Sequence, residues 1–289
     1  MSINCTTLTP LSSFDPRSAS HELEHGTGII RLDMGSVIDE IVDPANWFMD
    51  FCRKLGTPVS QSADGELVLS IRDQSLGQND PQTRGPNTNR KLGFHTDRCD
   101  VIAFLCLMPA MTGGENQVVD SREVERIIKL ERPDLYSVLQ QQFPYKRHMV
   151  DNGNQKPFVM QPIFSEFKGY FACSYLRVLI DRADQDADCP TLSDSQKQAI
   201  NFLDEVCERS EIQLKFTMKR GEIVLLNNWT TLHRRTAFED FIEPGQKRHL
   251  LRIWLSMPNS RPLDTSFTEN FGSTEAGAVR GGMKPISLI

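Results

Sequence analysis

The chain has 289 residues, 39% hydrophobic and 24% charged, which excludes collagen-like and wholly disordered classes and leaves enough apolar mass for a sizeable core. Its 32 Lys and Arg against 38 Asp and Glu give a net charge of −6. That balance argues against a general binder of nucleic acid or acidic membranes, yet leaves room for small anions held by one or two placed arginines.

The longest apolar run, residues 101–111, is about half of the roughly 20 residues a membrane helix needs, so no such helix is expected. Seven scattered cysteines, an odd count without C-x-x-C spacing, follow a start that lacks a basic-then-apolar leader; the expectation is reduced thiols in a cytoplasmic protein. No repeat, low-complexity tract or Pro/Gly-rich linker divides the sequence, which reads as a single domain over 1–289.

Residues 1–17 are polar and read as an arm. Ser20 and Gly26 bracket a short helix over 21–25, and 28–32 follows as a strand. Asp43 and Pro44 open a helix carrying Trp47, Phe48, Phe51 and Leu55 at helical spacing, and Gly56 stops it. Alternation over 66–72 predicts a strand; 74–90 is a long polar loop, of a length that is often functional. Strands are predicted at 92–97, 101–107 and 116–120, then a helical stretch over 122–142 broken at Pro133. Short strands resume near 143–150, 157–163 and 169–175, before a helix capped by Ser193. Strands at 212–217, 221–227 and 248–257 precede a tail over 258–289. Many short strands with helices inserted among them suit a mainly β sandwich or barrel rather than a parallel sheet. No G-x-G-x-x-G follows a strand and no P-loop is present.

Two histidine arrangements compete for a metal. His21-Glu22-Leu23-Glu24-His25 matches H-E-x-x-H, which in zinc peptidases sets two histidines on one helix face with the Glu as base. Gly26 ends this helix at once, almost no apolar face anchors it, and Arg31 occupies the place of a third ligand, so a solvated helical turn is the better reading. The second is Phe94-His95-Thr96-Asp97, where alternate strand residues point to one face. Six His and 38 acidic residues yield roughly one chance H-x-[DE] match, so context must decide. The context is a long polar loop before it, a buried strand after it, and His233 far downstream, just past the strand at 221–227. Two His and one carboxylate on one face of an octahedral ion form the donor set of non-haem Fe(II) oxygenases. Arg248 and Arg252 share one face of the last strand, where a buried guanidinium needs an anion such as a carboxylate co-substrate.

With these residues in place the sequence resembles the taurine-dioxygenase-like (TauD/TfdA) family of Fe(II)/2-oxoglutarate-dependent oxygenases. The resemblance runs from Gly28 onward through Leu-Gly-Thr-Pro-Val at 55–59, Phe-His-Thr-Asp-Arg-Cys-Asp at 94–100 and Gly113-Gly114. It continues through Leu-His-Arg-Arg-Thr-Ala-Phe-Glu at 232–239, Arg-His-Leu-Leu-Arg-Ile-Trp-Leu at 248–255 and Gly-Ala-Val-Arg-Gly-Gly at 277–282. It implies a double-stranded β-helix (jelly roll) with Fe(II), 2-oxoglutarate and O2, and succinate and CO2 as co-products. It further implies His95, Asp97 and His233 as iron ligands and Arg248 for the distal carboxylate of 2-oxoglutarate. Arg252 resembles a second arginine for co-substrate or acidic substrate. Asn116 stands where many relatives place a threonine against 2-oxoglutarate. A retained Asp97, which halogenating relatives replace, implies hydroxylation, with desaturation or cyclisation as variants.

Arg98, Arg252 and Arg280 suggest an acidic, amino-acid-like or natural-product substrate, and residues 74–90 and the tail are expected to lie over the metal. The alternatives in other classes are a non-catalytic jelly roll that binds metal or ligand only, and a zinc peptidase using His21 and His25. The expected partner is a small molecule, with neither nucleic acid nor membrane, and the resemblance leaves a homo-oligomer open.

Overall fold

A computed structural model of the chain describes residues 7–74, 85–147 and 156–284. The first part comprises β1 (Leu8–Pro10), α1 (Pro16–His25), β2 (Ile29–Asp33), α2 (Val37–Glu40), α3 (Pro44–Arg53), β3 (Thr57–Val59) and β4 (Leu69–Ile71). Next come β5 (Val101–Met108), β6 (Thr112–Gly113), β7 (Asn116–Asp120), α4 (Ser121–Glu131) and α5 (Pro133–Leu139). The hairpins β8 (Phe143–Lys146) with β9 (Phe158–Gln161), and β10 (Phe164–Phe167) with β11 (Tyr170–Cys173), lead into α6 (Arg177–Asp184) and α7 (Asp194–Cys207). The chain closes with β12 (Gln213–Phe216), β13 (Glu222–Asn227), β14 (Thr231–Arg235), β15 (Phe238–Glu239), β16 (His249–Ser256) and α8 (Thr268–Phe271).

The larger sheet runs β1-β2-β13-β5-β16-β3, with β4 also paired to β16, and only its β1–β2 pair is parallel. A smaller antiparallel sheet runs β12-β7-β14. Side chains alternate across β5 and β16. Ala103, Leu105, Leu251, Ile253 and Leu255 face Phe48, Phe51 and Cys52 of α3 and Leu23 of α1. Ile102, Cys106, Leu250 and Trp254 face the other way, against Val118 of β7 and Phe216 of β12. The far side of the smaller sheet presents Val119 and Leu232 to Ile128, Leu139 and Leu203 of the central helices. Each such aliphatic burial is worth about 1.5–3 kcal/mol. Two sheets with helices on both outer faces form the jelly roll that the family resemblance implies, and the inner faces carry the site.

The helix over 44–53 has the N-terminus the sequence predicts: the Asp43 carboxylate accepts from Asn46 N–H at 3.0 Å and Pro44 opens the first turn. Ser193 and Gln196 form a reciprocal capping box on α7.

Several expectations are corrected. The first helix starts at Pro16 and is capped by Asp15, not Ser20, whose position is inside the helix. The polar arm is not all arm, because Leu8–Pro10 pairs with Arg31–Asp33. The segment 92–97 is no strand: it touches β14 through Leu92 and His95, then turns to Tyr175 through Thr96, so no two successive pairs form a ladder. The strand expected over 66–72 shrinks to Leu69–Ile71, and Thr231–Arg235, just past the strand expected at 221–227, is a further, fully buried strand. Of the strand near 143–150, Phe143–Lys146 is observed and 148–150 lies outside the described residues, as do 1–6, 75–84 of the polar loop and 285–289 of the tail.

Candidate active site

His95 and His233 come together through the backbone. Each donates its N–H to the other's carbonyl oxygen at 3.0 Å, and the ring centroids stand 4.5 Å apart. His95 Nδ1 lies 2.9 Å from the Gly93 carbonyl oxygen, which places the proton on that nitrogen and leaves the Nε2 lone pair for a metal. The Asp97 N–H donates to Asn228 Oδ1 at 2.9 Å. Its carboxylate Oδ2 is 3.8 Å from His233 Nε2 and 3.3 Å from Arg252 Nη1. One donor atom from each of His95, Asp97 and His233 lies within 4.8 Å of the others, so all three can hold one ion.

The protonation states suit that task. Burial alone would raise the Asp97 carboxyl, but Arg252, then His95 and His233, outweigh it and hold it below its ordinary range. Burial, with His95 beside it, pushes His233 down to about 3, so its imidazole is neutral and free to donate a lone pair at neutral pH.

The triad opens on a cavity of about 650 Å³, inside the size range of small-molecule sites. Arg248 lines it; its Nη1 is buried and has no partner among the described residues. Burial pushes this guanidinium down to about 10. Arg235 lines the cavity too and is pushed down to about 9, first by burial and then by Arg248. It donates to the carbonyl oxygens of Thr88 at 2.7 Å and Thr236 at 3.2 Å. An anion at this end relieves both desolvation and like-charge repulsion.

Arg252 is engaged differently, donating from Nε to Gln61 Oε1 at 2.7 Å and from Nη1 to Asp97. It therefore braces the carboxylate of the triad. Asn116 lines the cavity, with its Nδ2 at 3.5 Å from the Phe216 carbonyl oxygen. Arg98 also lines it, donating from Nε to the Asn270 carbonyl oxygen at 2.5 Å. The tail contributes Asn270, Phe271 and Met283 to the wall.

Arg280 does not line the cavity. It is buried and donates to Asp100 at 2.7 Å, because Asp100 otherwise lacks a cation in the core; it is structural, contrary to the substrate role expected for it. The zinc-peptidase alternative is corrected as well. His21 and His25 are exposed, Glu22 is tied to Thr27, and Glu24 is buried against Arg261 at 2.7 Å; no third ligand joins them among the described residues.

Arg234 also lines the cavity. Its guanidinium lies 4.0 Å from the Phe94 ring centroid, donates to Gln117 and grips Glu208 with both terminal nitrogens. That grip holds the Glu208 carboxyl at about 2, against an ordinary 4.5. A depressed folded-state value gives stability that is present above pH 4.5 and lost as pH falls towards 2. Wild type is therefore expected to lose more stability than Glu208→Gln across that window in acid unfolding followed by circular dichroism. The difference will be modest because Glu208 is half exposed. Parallel curves would contradict it.

Sequence reasoning missed Gln61, Phe104 and Trp254 in the cavity wall. Trp254 could have been found, since it shares the alternate face of β16 with Arg252. Gln61 left no signal, because its partner lies on a distant strand.

The inner-face triad and its arginine-lined cavity define a non-haem iron dioxygenase that uses 2-oxoglutarate. The chain belongs to the TauD, TfdA family of taurine catabolism dioxygenases, whose family model matches residues 3–254. It is 30% identical over 272 residues to FR-33289 synthase of Streptomyces rubellomurinus, covering 91% of this chain and 78% of that protein. It is 29% identical to the taurine hydroxylase-like protein SAT17 of Stachybotrys chartarum, covering 67% of this chain and 51% of that one. Among solved structures, an asparagine oxygenase in complex with Fe(II), 3-hydroxyasparagine and succinate matches with TM-score 0.65 at 15% identity, covering 83% of this chain and 78% of the other. The non-heme iron oxygenase OrfP in complex with Fe and alpha-ketoglutaric acid matches with TM-score 0.56 at 16% identity, covering 83% and 77%. At these identities the structural likeness concerns the fold. No helix among the described residues is long and apolar enough to cross a membrane.

Proposed function

We propose that His95, Asp97 and His233 hold Fe(II), that Arg248 receives the distal carboxylate of 2-oxoglutarate, and that the enzyme hydroxylates a small acidic or amino-acid-like compound. The observation that carries this reading is the converging His-Asp-His donor set beside a cavity-lining guanidinium with an unmet N–H group. Bound Fe(II) supplies O2 activation coupled to decarboxylation of 2-oxoglutarate, which yields succinate and CO2 with the oxidised product.

The chain's own residues orient and shield. Gly93 fixes the His95 tautomer, Asn228 fixes the Asp97 backbone, and Arg252 with Gln61 holds the Asp97 carboxylate in place. Phe104 stands edge-on to His233 with centroids 6.1 Å apart and keeps that side of the site apolar. Asn116 pairs with Arg235 across β7 and β14, which supports its placement beside the co-substrate. The hydroxyasparagine and hydroxyarginine complexes of the structural relatives support an amino-acid-like substrate. A cytoplasmic setting is supported by the six described cysteines, all free and buried thiols.

Succinate release screened against amino acids and small acids, with product masses checked for a gained oxygen or two lost hydrogens, tests the whole reading; no release with any of them under Fe(II) and O2 would refute it. Arg248→Gln is expected to raise KM for 2-oxoglutarate about 10- to 100-fold, the worth of a charge-assisted hydrogen bond at a buried site. An unchanged KM would move the carboxylate elsewhere.

A further inference from the structure

The cavity wall formed by the β8–β9 hairpin and α8 takes no part in holding metal or 2-oxoglutarate in the reading above. Arg147, one residue past β8, lines the cavity there, and its side chain is only 6% exposed. Its Nε and Nη1 are buried and have no hydrogen-bond partner among the described residues. Only Nη2 is engaged, and weakly, at 3.4 Å from the Glu269 carbonyl oxygen and 3.5 Å from its carboxylate, which is 43% exposed.

The neighbours leave Arg147 over. Arg98 reaches the next carbonyl of the same turn, that of Asn270, so two guanidinium groups converge on adjacent residues of α8. Asn270 Nδ2 donates to Gln161 Oε1 at 3.0 Å, and Gln161 Nε2 donates to Ser174 Oγ at 2.8 Å, so these amides satisfy one another. The carboxylates lining the cavity are Asp97, committed to the triad, and Asp181, which accepts from Arg177 at 2.7 Å. A buried guanidinium with unmet N–H groups carries a desolvation cost that an oxyanion offsets, and its planar donor set suits carboxylate and phosphate-type groups.

We propose that Arg147 is a specificity-determining residue, an anion subsite distinct from Arg248 that binds a negatively charged oxygen group of the substrate. The substrate is then an anion held at one end by Arg147 while the carbon to be oxidised approaches the triad. This rests on the reading of the cavity as the substrate site.

The test uses full-length protein with Fe(II) under anaerobic conditions and saturating 2-oxoglutarate, so that Arg248 is occupied, titrated calorimetrically with sulfate or acetate at constant ionic strength. Wild type is expected to bind at least one of the two. Arg147→Gln should weaken that binding about 10- to 100-fold while 2-oxoglutarate affinity stays within about twofold. Glu269→Gln, which removes an exposed competing carboxylate, should tighten it a few-fold, and this arm stands even if Arg147→Gln fails to fold. A preference for sulfate points to a phosphate-type dianion on the substrate, and a preference for acetate to a carboxylate. Equal anion binding in wild type and Arg147→Gln, or no change in Glu269→Gln, overturns the subsite. Failure of wild type to bind 2-oxoglutarate is a separate result that refutes the functional reading instead.

Discussion

His95→Ala is expected to abolish the weak visible charge-transfer band that anaerobic Fe(II) and 2-oxoglutarate give with wild type, and to cut succinate release by more than about 100-fold. The magnitude follows from the donor set: outer partners of metal ligands are already worth about 10- to 100-fold in affinity or activity, and a direct ligand is worth more. The fold should survive, because His95 joins His233 through backbone groups that alanine retains. Arg252→Gln belongs between the two extremes. It removes the guanidinium 3.3 Å from Asp97 without removing a ligand, so Fe(II) affinity should fall by about 10- to 100-fold and the band should return at higher iron. His21→Ala should change neither band nor succinate, since that side chain is exposed and stands apart from the triad. A band lost in His21→Ala and kept in His95→Ala would reverse the assignment.

The parts of the site that were legible in the sequence are those that local pattern encodes. The two-residue spacing keeps His95 and Asp97 close even though their segment is no strand, and Arg252 sits on β16 four residues after Arg248, which precedes that strand. A β sandwich or barrel followed from the many short strands, its jelly-roll form from the family resemblance, and the Asp43 and Ser193 caps from their own turns. What stayed hidden depends on partners far along the chain. Segment 92–97 has strand-like composition, yet it divides its hydrogen bonds between β14 and Tyr175 and never forms a ladder. Composition cannot separate Arg248, with its unmet N–H, from Arg252, whose acceptors Gln61 and Asp97 come from two distant segments. Arg147 carried no motif, because its significance lies in what fails to meet it. The H-E-x-x-H match misled for the converse reason: Glu24 is the buried acid of that helix, and it serves Arg261.

Arg280→Met is expected to destabilise the chain by about 3–5 kcal/mol, read as a lower midpoint in urea unfolding, because it strips one partner from a fully buried ion pair. The side chains of Arg280 and Asp100 are 0% and 3% exposed. Asp100 also accepts from Trp229 Nε1 and Met257 N–H, each at 2.8 Å, and the Arg280 guanidinium lies 5.4 Å from the Trp229 ring centroid. These neutral donors soften the loss without replacing the cation. The double variant Asp100→Asn with Arg280→Met should cost less than the two single costs added together, since neither change then leaves an unpaired charge in the core. The effect should reach the cavity. Arg280 anchors the tail beside Gly282, whose N–H donates to the Arg98 carbonyl oxygen at 2.7 Å and whose φ of +67° favours glycine. That stretch sets Met283 in the cavity wall, and the N–H of Gly281 reaches back to Phe271. In folded Arg280→Met protein the Fe(II) and 2-oxoglutarate band should therefore persist while KM for the oxidised substrate rises. A shift below about 1 kcal/mol, or strict additivity in the double variant, would show that this buried pair does not tie the tail to the sheet.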